Sequence, residues 1–389
     1  MKKIAYFIAS AAAFAILFTA CNPETAKETV ETVEVVSVVP ETTNENAQAL
    51  PEGDDGKALF EESVLPSITS SITTLATSVK DSSVPSSNTR GVTFTDLSEA
   101  FAKFPESFKS DVDQTTGSMS FAGSWDCPTG ELDFGSDVKG LSASINALSV
   151  KIDAKCTPTV DANTVKYALG ATGSAKAAAS LAYTEAEDGT FELPIKKAKM
   201  NLLGYSSLNA AAVLNALESY SGSGNTRDVD TTDESDYTSM ITGYLSALET
   251  LTGNIALYMG NSGAFYFEVP VQGESESVTY NGIAKVDYLI NVNKVITKEI
   301  LDELSPVVSS LTEFMNSADD SQETEQMPDY TKLLAKLDEL ELAEISYTFS
   351  VYDVEGTKLF DLYDVNTFEG LAEIIPSLME LTASFGEDD

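Results

Sequence analysis

Apolar and polar residues alternate with a period of two through much of residues 112–204, and this pattern constrains the fold more than any other feature of the chain. Successive side chains of a β-strand point to opposite faces of a sheet, so each such segment forms a strand that is buried on one face only. The alternation is centred on Phe121, Val150, Tyr167 and Leu193. It predicts an antiparallel meander of about six strands in this part of the chain.

The same pattern returns in the second half of the chain. It is clearest over residues 286–292, where Val, Tyr, Ile and Val alternate with polar residues, and it also covers 265–271 and 343–351. The sequence Gly-Asn-Ser-Gly at 260–263 predicts a turn. This turn is expected to separate a strand at 255–259 from the strand that follows it.

Between these strands, apolar residues recur at steps of three and four, which is the pattern of a helix with one apolar stripe. The clearest case runs from Lys57 to Val79. Further helices of this kind are predicted at 96–108, 208–220, 237–251, 295–315, 330–340 and 368–385. Strands and helices together predict an α+β fold, with amphipathic helices packed on one face of an antiparallel, curved sheet. The folded region is expected over 57–389, either as one unit or as two sub-domains, 57–204 and 205–389.

The charge balance and the absence of histidine exclude several classes of function. The chain has 61 acidic residues against 23 basic ones, for a net charge of −38. Such a surface repels phosphate backbones, so we expect no nucleic-acid partner. Without histidine, serine–histidine–aspartate and cysteine–histidine catalysis are excluded, as are zinc sites built on histidine. We therefore predict a non-enzymatic protein that needs no cofactor.

The N-terminus has the composition of an export signal. Lys2 and Lys3 precede residues 4–20, which carry no charge and end at Ala20. This apolar run is shorter than the about 20 residues that span a bilayer, and it ends at a small residue, as cleaved signals do. Residues 1–20 are therefore predicted to be a signal peptide.

The end of this segment, Leu17-Phe18-Thr19-Ala20-Cys21, resembles the lipobox of bacterial lipoproteins, although Phe18 stands where leucine is usual. The resemblance implies that Cys21 accepts a diacylglycerol and becomes the lipidated N-terminus of the mature protein, so that its partner is a membrane of the cell envelope. Asn22 follows the cysteine, which favours the outer membrane in bacteria that sort lipoproteins by this residue. The alternative is ordinary cleavage after Ala20, which leaves Cys21 as a free thiol.

Residues 21–56 are rich in Glu, Thr, Val and Asn and contain no aromatic residue. Their valine-rich part, 30–39, alternates poorly, so no strand is predicted there. This composition predicts an acidic, flexible tether between the lipid and the fold.

Cys127 and Cys156 are the thiols that remain once Cys21 is acylated. A pair of cysteines in an exported protein predicts a disulfide that stabilises the fold. The alternative, a redox-active pair, lacks the usual C-x-x-C spacing.

The densest acidic cluster is formed by Asp228, Asp230, Asp233 and Asp236. Carboxylates at such spacing are the ligands that Ca²⁺ prefers, but a calcium-binding EF-hand loop has Gly at its sixth position and Glu at its twelfth. Here these positions are Asp233 and Ser239. A solvated acidic loop is therefore the preferred interpretation, with a calcium site as its alternative.

These observations lead to two functional hypotheses. The first is a membrane-anchored, non-enzymatic binding protein of the cell envelope that holds an apolar or lipid ligand between its sheet and its amphipathic helices. The second is a surface-displayed lipoprotein that binds a protein partner or mediates adhesion.

Overall fold

An antiparallel sheet dominates the structure. The computed structural model describes residues 31–81, 92, 94–132, 139–161, 164–187, 193–214, 251–273, 276–297, 299–300, 303 and 331–374. The strands are β1 (Gln48–Ala49), β2 (Phe108–Asp113), β3 (Ser118–Asp126), β4 (Gly130–Leu132), β5 (Leu141–Asp161), β6 (Thr164–Thr184), β7 (Lys197–Leu214), β8 (Leu251–Gln272), β9 (Ser277–Ile296), β10 (Glu344–Tyr352) and β11 (Lys358–Val365). They form one 11-stranded open sheet in the order β11-β10-β9-β8-β7-β6-β5-β3-β2, in which β4 also pairs with β5 and the short β1 pairs in parallel with β9.

The central strands are unusually long. Strands β5 and β6 have 21 residues each and β8 has 22. At about 3.3 Å per residue, each spans roughly 70 Å. The meander predicted for 112–204 is confirmed as β2 to β7, and its strands are longer than the alternation in the sequence indicates.

The register of these strands separates apolar from polar side chains across the whole sheet. One row of paired residues runs Val150, Ala175, Ser206, Met259 and Ile290 from β5 to β9. We call the face that carries this row the apolar face. The adjacent row, on the opposite face, consists of Lys151, Ser174, Ser207, Tyr258 and Asn291, and we call that face the polar face.

The helices are α1 (Gly53–Leu59), α2 (Leu65–Asp81), α3 (Phe94–Lys103) and α4 (Thr331–Glu339), and a π-helical turn, Phe60–Val64, joins α1 to α2. This turn and the two helices that it joins pack on the apolar face. Phe60 of this turn is fully buried, and its ring lies 5.8 Å from that of Phe267, 6.0 Å from that of Phe349 and 6.1 Å from that of Phe360. We call the core built around these rings the Phe60 cluster.

A second core on the same face lies under α3. The indole of Trp125 is 5% exposed, and its Nε1 donates a hydrogen bond of 2.9 Å to the carbonyl oxygen of Ala100. Leu97, Val150 and Ala175 are buried in the same core, which we call the Trp125 cluster. Helices therefore cover the apolar face at two separate places.

The tether predicted for 21–56 is wrong over its described part, residues 31–56. Val33 and Val38 are buried on the polar face against Tyr266 and Ile283. The Val33 N–H donates a hydrogen bond of 2.9 Å to Ser262 Oγ. The physical reason is that several of these valines are buried by side chains distant in sequence, so burial does not need strand alternation here.

The segment then crosses from one face to the other. Lys197 and Lys199 of β7 donate hydrogen bonds to the carbonyl oxygens of Thr42 and Ser37 on the polar face. Strand β1 follows and pairs with the start of β9, and Leu50, directly after β1, is buried in the Phe60 cluster on the apolar face. Residues 31–81 therefore wrap around the sheet and pack against both faces.

Two local predictions are wrong because cross-strand packing overrides local sequence. Residues 208–214, expected in a helix, belong to β7 and pair with both β6 and β8. The turn expected at 260–263 is absent, since β8 continues through it. A Cβ at Gly260 would lie 2.7 Å from Tyr205 Oη, and one at Gly263 would lie 2.9 Å from Leu202 Cδ2. These glycines give room to neighbouring side chains and form no turn.

The balance of the fold also differs from expectation. Helices at 57–79 and 330–340 and the strand at 343–351 are confirmed, but the described chain is largely strand, so the α+β class holds only in the sense of a sheet with few helices. A division into sub-domains at 204/205 would cut β7 in its middle. The predicted helix at 237–250 lies outside the described residues.

We predict that Phe60→Ala lowers the free energy of unfolding by about 3–5 kcal/mol, because it removes a fully buried ring that contacts three others. Urea-induced unfolding followed by circular dichroism measures this change. Ile72→Ala in α2 is the matched control, since that side chain is 39% exposed, and it should cost about 1 kcal/mol or less. Equal losses for the two variants would contradict the packing described for this helix.

Candidate functional site

Several residues singled out by the sequence lie outside the described part of the chain. These are Cys21, with the whole signal segment, and the acidic cluster Asp228, Asp230, Asp233 and Asp236. Among the residues that are described, no group of His, Cys, Asp and Glu side chains is arranged to hold a metal ion.

The predicted disulfide between Cys127 and Cys156 is wrong, since both thiols are free. The Cys127 N–H donates a hydrogen bond of 2.8 Å to the carbonyl oxygen of Leu148 in β5. Cys156 lies eight residues further along the same strand, paired with Met119, which places it roughly 26 Å away. A disulfide needs Cα atoms closer than about 7 Å. Both cysteines flank the same strand pair, but they lie towards its opposite ends.

The two thiols differ in their surroundings. Cys127 is buried in the Trp125 cluster, and this burial raises the pKa of its thiol from 9.0 to about 11. Cys156 is half-buried on the apolar face. Cys127 is therefore a packing residue with little thiolate at neutral pH, which does not suit nucleophilic or redox chemistry.

The centre of the apolar face is lined by small residues. Ala175, Ala177 and Ala179 of β6 lie side by side with Ser206, Gly204 and Leu202 of β7. Five of these six residues are small, and we call them the alanine track: Ala175, Ala177, Ala179, Gly204 and Ser206. It begins at Ala175 in the Trp125 cluster and ends at Ala179, about 13 Å along β6, and Leu181 and then Tyr183 of the Phe60 cluster follow on the same face.

Larger side chains border the alanine track on both sides. On β5, Leu148 and Val150 pair with Ala177 and Ala175. On β8, Met259 and Asn261 pair with Ser206 and Gly204. Three strand spacings separate β5 from β8, so these borders stand about 14 Å apart. Small residues between taller walls form a shallow trough along the strands.

Large apolar side chains on this face are exposed in the described structure. Leu202 beside the alanine track is 38% exposed, Phe121 42%, Met119 47% and Val112 56%. The register puts all four on the apolar face. Exposed apolar residues that share one face, instead of being scattered singly, indicate an interaction surface.

Two buried hydroxyls on this face have no hydrogen-bond partner, those of Ser206 and Tyr183. Tyr183 belongs to the Phe60 cluster, and burial raises the pKa of its phenol above the usual value, with a smaller effect from Glu185. Ser206 belongs to the alanine track and is 4% exposed. Buried polar groups normally have partners, so each such hydroxyl needs a physical explanation.

The polar face has a buried polar group of a different kind. Glu268, 3% exposed, accepts a hydrogen bond of 3.3 Å from the Asn44 N–H and lies 3.5 Å from Lys197 Nζ. Tyr266 is buried beside Glu268 and Asn281; this burial, with the nearby carboxylate, raises the pKa of its phenol well above the usual value. Glu268 and Lys197 hold residues 42–44 against the sheet, so they support the fold. The Tyr266 hydroxyl is buried beside them and has no hydrogen-bond partner among the described residues.

Sequence reasoning missed the alanine track, although a signal was present. Gly and Ala alternate with Thr, Ser and Lys over residues 171–177, and two further alanines follow. This is the same period-two pattern as in the other strands, but small residues contribute little to an apolar stripe, and only pairing with β7 brings them next to Gly204 and Ser206.

Within the described ranges, no helix is long and apolar enough to cross a membrane. No protein-family model, no curated protein and no solved structure matches the chain. The chemistry of its own surfaces is therefore the basis for any functional proposal.

We predict that the protein without reductant contains two free thiols when Cys21 is replaced by Ala, and that alkylation of the folded protein at pH 8 labels Cys156 much faster than Cys127. The raised pKa keeps the Cys127 thiol protonated in the fold. The contribution of this thiol to the free energy of unfolding is therefore fully present below pH 9 and is lost as the pH rises from 9 to about 11. Mass spectrometry of alkylated peptides measures both sites. A peptide pair linked through Cys127 and Cys156 would contradict the structure.

Proposed function

We propose that the chain is a non-enzymatic, lipid-anchored protein of the bacterial cell envelope that binds an apolar ligand on the apolar face of its sheet. The observation that carries the proposal is the alanine track, a row of small residues between taller apolar side chains and between two helix-covered clusters. An extended polymethylene chain has the shape of such a trough. Its burial is favourable by about 25 cal/mol for each Å² of apolar surface removed from water.

The lining of the trough favours an apolar ligand. The alanine track covers about 13 Å of β6, from Ala175 to Ala179, and its borders on β5 and β8 are about 14 Å apart. The lining is predominantly apolar, as is usual for sites that bind small apolar molecules. The acyl chain of a lipid is a ligand with this chemistry.

The chemistry of the chain supports binding without catalysis. The sequence contains no histidine, and the cysteine buried at the end of the apolar face has a thiol whose pKa is raised to about 11. The buried carboxylate Glu268 is on the polar face and is already bonded to Asn44 and near Lys197. An apolar trough without a poised acid or base suits a carrier or a receptor.

The proposed anchor is Cys21, on the basis of its resemblance to a lipobox. The chain is docked on the polar face from Val33 onwards, so at most 12 residues, spanning no more than about 40 Å, separate the lipid from the fold. The protein is thereby held close to the bilayer instead of at the end of a long tether. Asn22 favours the outer membrane as its location.

We predict that Ala177→Leu weakens binding of a fluorescent long-chain fatty acid on the order of tenfold, because the added side chain fills the trough between Leu148 and Gly204. Ala178→Leu is the matched control, since it adds the same volume at the next residue on the polar face. That variant should bind within about twofold of the unmodified protein. Fluorescence titration measures the affinity, and thermal unfolding verifies that both variants fold.

Two outcomes of this titration would overturn the proposal. One is the absence of saturable binding by the unmodified protein. The other is an equal loss of affinity in Ala177→Leu and Ala178→Leu.

We predict that the unmodified chain, expressed in a bacterium that processes lipoproteins, incorporates radiolabelled palmitate and fractionates with membranes. Cys21→Ala should lose both properties, because no other residue at the end of the signal offers a thiol for acylation. Cys156→Ala is the control and should keep the label. Palmitate incorporation that survives Cys21→Ala would refute lipidation at this residue.

A further inference from the structure

Ser206 is the only polar side chain in the alanine track. It lies on the apolar face of β7, between Ala175 of β6 and Met259 of β8, and it is 4% exposed. Among the residues that the structure describes, its Oγ has no hydrogen-bond partner. A hydroxyl that is removed from both water and protein partners destabilises the unliganded fold, since its hydrogen bonds to water are lost without replacement.

The neighbouring serine provides an internal comparison. Ser207 lies on the polar face, opposite Ser174 and Tyr258, and is half-buried, so water reaches it. Other positions of the track on the apolar face carry only Ala and Gly, which have no polar side-chain atom to bury. Packing alone would be served better by Ala at 206. The hydroxyl of Ser206 is therefore a buried polar group for which the described residues supply no partner.

We infer that the Ser206 hydroxyl is the polar contact of the ligand site, where it hydrogen-bonds an uncharged oxygen on a long acyl ligand. This inference rests on the proposed apolar-ligand function and adds the class of ligand to it. The hydroxyl both donates and accepts, so it pairs with an ester carbonyl or with a ligand hydroxyl.

The surroundings favour an ester over a free fatty-acid anion. The neighbours of Ser206 across the strands are Ala175 and Met259, and those next to it on the same face of β7 are Gly204 and Leu208. None of them carries a charge; the nearest amide on this face is that of Asn261, which pairs with Gly204. Burial of a carboxylate here would be costly, whereas an ester oxygen needs a single hydrogen bond, so a fatty-acid probe should bind more weakly than the ester and be displaced by it. The ligand class is accordingly an acyl ester, such as the acyl-glycerol part of a membrane lipid.

The test compares two competitors of equal chain length, a long-chain fatty-acid methyl ester and the corresponding alkane, each displacing a bound fluorescent fatty acid. The unmodified protein should bind the ester more tightly than the alkane. Ser206→Ala should weaken binding of the ester about three- to tenfold, the usual effect of losing one hydrogen bond, and leave binding of the alkane unchanged. Ser207→Ala should change neither.

The outcomes separate this inference from the proposed function. If neither competitor displaces the probe from the unmodified protein, the apolar-ligand function fails. If both bind but Ser206→Ala leaves the ratio of ester to alkane affinity unchanged, the function stands and the role of Ser206 is refuted. Thermal unfolding of Ser206→Ala without ligand serves as the folding control, since removal of an unpartnered hydroxyl should keep or raise its melting temperature.

Discussion

The antiparallel register of β5 to β9 is the constraint on which the rest of the structure depends. It aligns Val150, Ala175, Ser206, Met259 and Ile290 in one row and keeps the polar residues of the next row on the opposite face. A slip of one residue in any of these strands would exchange its two faces. Such a slip would turn charged residues, such as Lys151 of β5, Lys197 of β7 or Glu268 of β8, towards the apolar face and core residues away from it, so the register is strongly specified.

Residues 31–81 reinforce this arrangement from both sides. Val38 is fully buried on the polar face, and Phe60 is fully buried on the apolar face. The short strand β1 lies between them in sequence. It pairs with Tyr280 and Asn281 of β9, just before Ile283, where the pairing of β9 with β10 begins. The segment that follows the proposed lipid anchor is thus part of the fold. The proposed anchor would thereby be attached to the polar side of the sheet whose apolar side carries the alanine track.

Helix coverage explains why the centre of the apolar face is the candidate site. The Phe60 cluster and the Trp125 cluster use large rings and helices to bury their parts of the sheet. Between them the sheet carries Ala177, Ala179 and Gly204, whose small side chains offer little surface for a helix to pack on. The hydroxyl of Ser206, which has no partner among the described residues, adds a buried polar group to this part of the sheet. These features support the proposal of an apolar ligand with one weakly polar group.

The sequence by itself determined the features that depend on local periodicity. These are the meander over 112–204, the helix from 57 to 79, the strand at 343–351 and the packing of helices on one apolar face. Only the tertiary structure decided which elements meet. Cys127 and Cys156 are predicted to form a disulfide from the number of cysteines, but they lie roughly 26 Å apart. Gly260 and Gly263 lie in a sequence typical of a turn, but they make room for Tyr205 and Leu202 of the neighbouring strand. The physical reason is that a period along the chain specifies which face a side chain occupies, whereas its neighbours depend on pairing between strands distant in sequence.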